Sequence, residues 1–370
     1  MPPLPNQGWE FPFQRPLLPP PERWIPYLAA SYAHRWFSNF GPVAQSLEQR
    51  LKARIGRPVQ MIANGTIAIT AALLALGRKG PVILPSFTFP ATMMAVLEAG
   101  CTPVLADVDP VSWEMGPDQV AAVLPLLSCA PVAVLGVRPF GLCRDQAALE
   151  HWCQERNVPF IIDAAAALGG VLSDGRPVGG QGAMETFSLH ATKVFAIGEG
   201  GAIAYMPQWQ TPLREVLNFG MHDGTPTRMG INGKLSEFAA AVGLAQDDVF
   251  DEHLRVRRTV AERYRRFFME YWSDWTPPWN PGSPPWQAYP VLAPTPEVLQ
   301  RALQATTTRG IQLRRYYHPA LHQSPFGAPY APRPLPVSAD LSARMLCFPV
   351  YSDMSREDHF KIMDVLKSIT

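Results

Sequence analysis

The chain has 370 residues, and its 32 basic and 31 acidic side chains give a formal net charge of +1. This length suits two or three domains, and a near-zero charge provides no field that would attract nucleic acid or an anionic membrane. Hydrophobic residues make up 47% of the sequence, which excludes a largely disordered protein.

Proline is unusually frequent, with 40 residues, and it is concentrated in three stretches. Nine prolines lie in 1–26, eight in 277–296 and six in 319–336. Because proline fixes φ and lowers loop entropy, we interpret these stretches as ordered arms near the mouth of a site or a subunit interface. We assign 1–26 to a proline-rich N-terminal arm, 27–250 to a large domain and 251–370 to a small C-terminal domain.

The five cysteines form no CxxC pair, and the N-terminal stretch lacks a basic segment followed by an apolar run. These features predict buried free thiols, no secretory signal and a cytoplasmic protein. The eight histidines are scattered, so no metal site is predicted.

Between about residues 60 and 205, helical and strand-like segments alternate. Helical spacing covers 66–76, 91–99, 118–127 and 144–156, and short apolar runs cover 82–84, 104–108, 132–135 and 158–162. This alternation predicts an α/β fold with a mostly parallel sheet sandwiched between helices. In such sheets, ligands bind at the carboxyl ends of the strands.

The remainder of the chain predicts a smaller α+β unit. A long helix is expected over 235–266, further helices over 296–309 and from residue 356, and extended segments over 311–317 and 344–350.

Two charged residues stand in apolar surroundings. Asp163 directly follows the apolar run 158–162, and an unpaired carboxylate buried there needs a cation or several donors; a plain turn cap is the alternative. Lys193 lies among Phe187, Val194 and other apolar residues, and desolvation would free its amine as a nucleophile. A surface lysine with a buried stem is its alternative.

Two further segments suit a flat, phosphorylated ligand. Asn64-Gly-Thr66 stands at a predicted helix start, where free N–H groups bind phosphate, and Ser188 offers another hydroxyl; plain helix capping explains the first segment equally well. Phe89 follows a predicted strand and could stack on a ring, although core packing is the commoner role there. A phosphate cradle, a carboxylate, an aromatic face and a reactive lysine together indicate pyridoxal phosphate.

The sequence resembles the DegT/DnrJ/EryC1/StrS aminotransferases, fold-type I pyridoxal-phosphate enzymes that mostly aminate keto sugars on nucleotide carriers. The resemblance extends from about Asn39 to the C-terminus. It is carried by six ordered segments: Asn39-Phe-Gly-Pro42, Asn64-Gly-Thr66, Pro85-Ser-Phe-Thr-Phe89, Phe187-Ser-Leu-His-Ala-Thr-Lys193 with Gly198-Glu-Gly-Gly201, Gly230-Ile-Asn-Gly-Lys-Leu-Ser-Glu237, and Arg314-Arg-Tyr-Tyr-His-Pro319.

The resemblance implies a role for each matched residue. Lys193 would be the Schiff-base lysine and proton shuttle, Asp163 would pair with the pyridine nitrogen, and Phe89 would stack on the ring. The phosphate would be held by Gly65, Thr66, Ser188 and, from the neighbouring subunit of a homodimer, Asn232. The substrate side would comprise Asn39, Gly41, His190, Arg314 and Tyr316, with no individual role implied for His190.

The resemblance also implies the reaction. Glutamate would donate an amino group, which a nucleotide-linked deoxysugar such as dTDP-4-keto-6-deoxyglucose would accept; relatives also use 3-keto sugars and cyclitol ketones. One position departs from the family, because Ala166 stands where a Gln or His usually contacts the ring hydroxyl. This departure keeps open a catalytically silent cofactor- or sugar-binding regulator. A pyridoxal-phosphate sugar dehydratase or lyase is a separate alternative, although the resemblance disfavours a dehydratase because those relatives replace the lysine with histidine and Lys193 is present.

Overall fold

We describe residues 8–369 of the protein from a computed structural model. Residues 1–7 of the predicted arm and the last residue lie outside the described part. The strands are β1 (Val59–Ile62), β2 (Pro81–Pro85), β3 (Thr102–Ala106), β4 (Ala133–Val137), β5 (Phe160–Asp163), β6 (Met184–Ser188), β7 (Gly201–Tyr205), β8 (Met221–His222), β9 (Thr225–Pro226), β10 (Ala288–Leu292) and β11 (Met345–Pro349).

The helices alternate with these strands through the first half of the chain. They are α1 (Pro21–Trp24), α2 (Ala29–His34), α3 (Pro42–Ile55), α4 (Gly65–Ala75), α5 (Pro90–Glu98), α6 (Pro117–Val123), α7 (Ala147–Glu155), α8 (Gln210–Leu217), α9 (Glu237–Tyr271), α10 (Pro296–Thr307), α11 (Pro336–Arg344) and α12 (Arg356–Lys367).

Within residues 8–369, the main sheet has seven strands in the order β1-β7-β6-β5-β4-β2-β3. β7 runs antiparallel to both of its neighbours, β1 and β6, and the pairs β2–β3, β2–β4, β4–β5 and β5–β6 are parallel. The strands are almost entirely buried, because helices cover both faces. One apolar core includes side chains of α3, α7 and α9, and the other includes side chains of α4, α5 and α8. The predicted α/β architecture is confirmed.

The C-terminal part is built around a two-stranded antiparallel sheet of β10 and β11. Its core packs one face of α9 against both strands and against α12. The predicted domain boundary near residue 250 falls inside α9, which runs without interruption from Glu237 to Tyr271. The segment predicted as extended over 311–317 does not form a continuous strand. It forms two isolated bridges, one between Ile311 and Phe11 and one between Arg314 and Cys347.

The N-terminal segment from residue 8 packs against this C-terminal part. Phe11 N–H donates to Gly310 O over 3.0 Å, and Gln312 N–H donates to Phe11 O over 2.9 Å. Arg15 Nε donates to Asp353 Oδ1 over 3.0 Å, and its guanidinium lies 4.4 Å from the ring centroid of Tyr351. The described part of the proline-rich arm is therefore tied to the C-terminal sheet.

The cysteines are free thiols, as predicted, but Cys129 is exposed while the other four are buried. Cys129 lies in the loop that follows a short 3-10 turn, Leu124–Leu126, and no element covers it. Among the described helices, none is long and apolar enough to cross a membrane.

Glu237 is a fully buried carboxylate at the start of α9, and it caps the start of α3. Its oxygens accept hydrogen bonds from the N–H groups of Val43 (2.7 Å) and Ala44 (3.0 Å) and from Ser31 Oγ (2.8 Å). Gly41 is required here, because a Cβ at this position would lie 2.6 Å from the Glu237 carboxyl carbon. The contacts join α2, α3 and α9.

We expect Glu237→Ala to lower the free energy of unfolding by about 3 kcal/mol or more, because several buried donors lose their acceptor. Urea unfolding at fixed protein concentration measures this change. Glu252→Ala is the matched control: its carboxylate forms an exposed pair with Arg255 on the same helix, so its loss is expected to change stability by less than about 1 kcal/mol. Equal effects of the two substitutions would contradict the capping role.

Candidate functional site

A cavity of about 580 Å³ opens at the carboxyl ends of the central strands, where α/β sheets bind ligands. Its volume is typical of a small-molecule site. It collects most of the residues singled out from the sequence, namely Gly65, Thr66, Phe89, Asp163, Ser188, His190, Lys193 and Tyr316.

The start of α4 forms one end of the cavity. The Asn64 side chain caps the helix by accepting from Ile67 N–H over 2.9 Å. The N–H groups of Gly65 and Thr66 belong to the first turn, where a helix has no internal partner for them. A Cβ on Gly65 would lie 2.8 Å from Ser188 Cβ, so glycine lets the helix start and the end of β6 meet. The result is a cradle of N–H and hydroxyl donors suited to a phosphate.

Asp163 ends β5 and is 6% exposed. Its Oδ2 accepts from Thr92 Oγ1 over 2.7 Å and its Oδ1 accepts from Ala165 N–H over 3.0 Å. Burial raises the pKa of the Asp163 carboxyl, while both hydrogen bonds act to lower it. A cationic ligand group beside this carboxylate would be strongly favoured, since both donors present are neutral.

Lys193 lies in the loop between β6 and β7, with its amine facing the cavity. Burial lowers the pKa of the Lys193 amine to about 8, and the nearby Asp163 carboxylate acts in the opposite direction. A substantial neutral fraction is therefore present at mildly alkaline pH, which suits attack on an aldehyde. The amine donates to Gln287 Oε1 over 3.0 Å.

The two phenylalanines that follow β2 have different environments. Phe87 is a core residue, whereas Phe89 is 54% exposed and lines the cavity. Phe89 immediately precedes α5, and because its ring is exposed to the cavity it is available to a flat ligand.

His190 also lines the cavity, and its Nδ1 pairs with Thr192 Oγ1 over 2.9 Å.

Four sequence-predicted residues do not line this cavity. Asn39 is exposed with a φ of 57°, and Gly41 is buried against Glu237. Asn232 is exposed and pairs with Asn218 through a backbone bridge. Arg314 is exposed, with its guanidinium 5.7 Å from the Phe13 ring centroid.

Sequence reasoning missed several cavity groups. Thr92 supports Asp163 from α5, and Gln287 reaches Lys193 from the loop before β10. Phe13 and Gln14 of the N-terminal segment also line the cavity. Alternation of apolar and polar residues gives no signal for these contacts, because their partners lie far away in sequence; the nearest hint is the polar Gln287 within a proline-rich stretch.

Ala166, the position that departs from the family pattern, lines the cavity close to Asp163. Its methyl group cannot donate a hydrogen bond. The remaining donor set still fits pyridoxal phosphate, because the cradle around Gly65 suits its phosphate, the buried carboxylate suits a protonated ring nitrogen, and the Lys193 amine suits its aldehyde.

Comparison with known proteins gives a consistent result. The family model described as the DegT/DnrJ/EryC1/StrS aminotransferase family matches residues 22–367. Protein Rv3402c of Mycobacterium tuberculosis is 30% identical over 96% of this chain and 89% of its own length. The dTDP-4-amino-4,6-dideoxy-D-glucose transaminase of Shigella dysenteriae is 31% identical over 96% of this chain and 98% of its own length.

The fold is similar to that of solved aminotransferases. The crystal structure of DesI, determined in the presence of its TDP-sugar product, superposes with a TM-score of 0.87 at 31% identity, covering 97% of this chain and 94% of DesI. The predictions of fold, family, aminotransferase activity and pyridoxal-phosphate cofactor are confirmed. This chain belongs to the DegT/DnrJ/EryC1/StrS aminotransferase family.

Proposed function

We propose that this enzyme transfers an amino group from glutamate to the keto group of a nucleotide-linked deoxysugar, with dTDP-4-keto-6-deoxyglucose as the first candidate. The observation that carries the proposal is the joint placement of Lys193, Asp163 and the Gly65–Ser188 cradle in one cavity. Two similar proteins support a nucleotide-linked sugar as the substrate: the Shigella relative is named for a dTDP-linked amino sugar, and DesI has a TDP-sugar product.

Each cavity residue has a proposed task. Gly65, Thr66 and Ser188 bind the phosphate of the cofactor, and Phe89 covers one face of its ring. Asp163 holds the proton on the ring nitrogen. Bound pyridoxal phosphate supplies an aldehyde that carries the amino group and a ring that withdraws electrons.

Lys193 is the proposed proton carrier. Its amine faces the cavity, and burial lowers its pKa to about 8. A group with a pKa near the working pH both accepts and releases a proton readily. We propose that the amine removes the α-proton of the donor amino acid in one half-reaction and, in the other, delivers a proton to the sugar carbon that receives the amino group.

We propose that Tyr316 and His190 lie on the substrate side of the cavity. Both line it, and the Tyr316 ring packs edge-on against Phe13 at 5.7 Å. Asn39, Gly41 and Arg314 lie outside the lining of their own chain's cavity. Gly41 is buried against Glu237, so among the first two only the exposed Asn39 is available to substrate in the site of a second subunit.

A panel assay tests the substrate. The protein, loaded with pyridoxal phosphate, is incubated with glutamate and with 4-keto or 3-keto sugar nucleotides on dTDP, UDP or GDP, and products are identified by mass spectrometry. We expect an amino sugar from a 4-keto deoxysugar on dTDP. Sugar turnover in the absence of any amino donor would favour a dehydratase or lyase instead, and absence of cofactor binding would favour a silent regulator.

Thr92 is expected to tune the cofactor site through Asp163. Its hydroxyl donates to Asp163 over 2.7 Å and is itself paired with Thr88 over 2.9 Å. Thr92→Val keeps the shape but removes the donor, so the pKa of Asp163 should rise further and the affinity for pyridoxal phosphate should fall about tenfold. Absorbance titration of the cofactor-free protein measures this affinity.

The conservative variant Thr92→Ser is the control, because it keeps the hydroxyl and should retain affinity within about twofold. Equal affinity of the Val and Ser variants would contradict the proposed support of Asp163.

We propose that the enzyme is a cytoplasmic homodimer with shared active sites. The free thiols suit a reducing compartment. Large exposed side chains around α2 and the start of α9 support a subunit interface, since Tyr32 is 61% and Phe238 45% exposed, and Phe37 stacks on Phe238 at 6.1 Å. Asn232 would then reach the phosphate in the neighbouring subunit.

Mixed dimers test this sharing. Lys193→Ala and Asn232→Asp are each expected to inactivate the enzyme, the latter by placing a carboxylate beside the phosphate. If Asn232 acts in the partner's site, a dimer with one variant of each kind has one intact site and regains activity. If Asn232 acts in its own subunit, each site of the mixed dimer has one defect and no activity returns.

A further inference from the structure

The Lys193 amine has a fixed polar partner that comes from a distant part of the chain. Its Nζ donates to Gln287 Oε1 over 3.0 Å. The other end of the same amide is also held, because Gln287 Nε2 donates to Thr192 O over 3.3 Å. The contact with Thr192 orients the amide so that its oxygen faces the lysine.

The backbone that carries Gln287 is held in place as well. Arg257 of α9 is buried, and its Nη1 donates to the carbonyl oxygens of Trp286 (3.0 Å) and Gln287 (3.4 Å). Arg257 Nε donates to Ser352 Oγ over 2.8 Å. Gln287 is thus presented by a braced loop at the start of β10, rather than by a free side chain on the surface.

Lys193 and Gln287 lie between two cavities. Both residues line the main cavity, and both also line a second one of about 10 Å³, bounded by Arg257, Ser352 and the N-terminal segment. The second cavity has room for about one water molecule. The lysine amine therefore rests at the inner wall of the main cavity, beside the C-terminal sheet.

We propose that Gln287 is a positioning residue that holds the Lys193 amine whenever this amine is not joined to the cofactor. The inference rests on the proposed function, in which the cofactor carries the amino group for half of each cycle and the lysine is then free. The hydrogen bond to Gln287 keeps the Lys193 amine in one orientation, so the amine does not have to change rotamer before it reacts again.

Other charged and titratable groups share these cavities with Lys193, and they remain unchanged when Gln287 is replaced. Arg15 and Arg257 line the smaller cavity, and the larger one is lined by Glu98, Arg138, Asp163, His190, Glu199, Tyr316 and Tyr317. A change confined to the Gln287 side chain therefore alters its contacts with the Lys193 amine and the Thr192 carbonyl, and of these only the first involves the titrating group.

The test is the titration of the Lys193 amine in the full-length, cofactor-free protein. Trace labelling with acetic anhydride between pH 6 and 10, followed by mass spectrometry of the Lys193 peptide, gives the midpoint of its reactivity. The wild-type midpoint is expected near 8, since burial lowers the pKa of this amine to about 8. Gln287→Glu should move the midpoint up by about one pH unit, because a carboxylate favours the ammonium form.

Gln287→Leu should move the midpoint down by about one unit, because the ammonium form loses its acceptor. Gln304→Glu, on the exposed face of α10, is the control and should change nothing. Folded Glu and Leu variants that both keep the wild-type midpoint would overturn the proposal. If the Leu variant does not fold, the Glu variant, which keeps the size and the acceptor, decides alone.

The labelling needs no cofactor, so its outcome is separate from that of the proposed function. Uptake of pyridoxal phosphate by the wild type, measured by absorbance in parallel, tests the latter. Wild-type uptake with unchanged midpoints in the variants would reject only the role of Gln287, and absence of wild-type uptake would reject the cofactor assignment itself.

Discussion

Replacing Lys193 with alanine is expected to abolish covalent attachment of pyridoxal phosphate and to lower kcat by about 10³-fold or more. The amine is the only group placed by our proposal to serve as both nucleophile and proton carrier, and loss of such a group removes both contributions. Borohydride reduction followed by mass spectrometry measures attachment, and a coupled assay of glutamate consumption measures kcat.

Lys193→Arg is the control for charge. It keeps a cation in the cavity, but its guanidinium does not lose its proton in the working range and cannot attack an aldehyde. We expect it to be as inactive as the alanine variant while binding the cofactor non-covalently. Activity of either variant above about a tenth of wild type would contradict the role of Lys193.

Replacing Asp163 with asparagine is expected to have opposite effects on function and on stability. Without the carboxylate, the proton on the ring nitrogen loses its partner, so affinity for pyridoxal phosphate should fall about 10- to 100-fold and kcat should fall with it. In the cofactor-free protein the same change removes a buried charge whose hydrogen-bond donors, Thr92 and Ala165, are neutral, and the pKa of this carboxyl is raised because burial outweighs these bonds and the attraction of Lys193. Its free energy of unfolding should rise by about 1 kcal/mol at neutral pH.

The pH dependence of this stability difference follows from the raised pKa of Asp163. Below the pKa of the unfolded chain, about 4, the carboxyl is protonated in both states and the two proteins should be equally stable. As the pH rises toward the folded pKa, the unfolded state releases its proton first, so the wild type loses stability relative to Asp163→Asn. Thermal unfolding of both cofactor-free proteins between pH 4 and 8 measures this; a wild type that is the more stable of the two at pH 8 would contradict it.

Local patterns predicted much of the fold and of the cavity. The apolar runs predicted β2, β3, β4 and β5, with ends that differ from the observed ones by a few residues. Strands that are buried on both faces consist of consecutive apolar residues, which makes them easy to recognise. β10 was not foreseen because it contains Pro290, which is tolerated at an edge where no partner needs its N–H. Lys193 and Asp163 stood out because each is a lone charge in an apolar setting.

Contacts between segments that are distant in the chain could not be predicted from the sequence. The acceptor for Lys193 is Gln287, separated from it by 94 residues, and the N-terminal Phe13 lines the same cavity. No spacing rule links such residues, because their proximity depends on how the C-terminal sheet and the N-terminal segment pack on the main sheet. We interpret the proline-rich arm as ordered and near a site mouth or a subunit interface, and its described part lines the cavity through Phe13 and Gln14.

The ordering of that arm stays a prediction for the protein in solution. Limited proteolysis of the dimer should spare residues 1–26 and 277–296, because proline restricts the backbone and the described part of the arm is tied to Asp353 and Gln312. Early cleavage within either stretch would contradict it.

The central claim is amino-group transfer from an amino acid to a nucleotide-linked sugar. Its most direct test is incubation of the cofactor-loaded enzyme with nitrogen-15 glutamate and dTDP-4-keto-6-deoxyglucose, followed by mass spectrometry of the sugar nucleotide. We expect an amino sugar that contains the labelled nitrogen, formed together with 2-oxoglutarate and absent with Lys193→Ala. A sugar product without the label, formed equally well when glutamate is omitted, would contradict the claim.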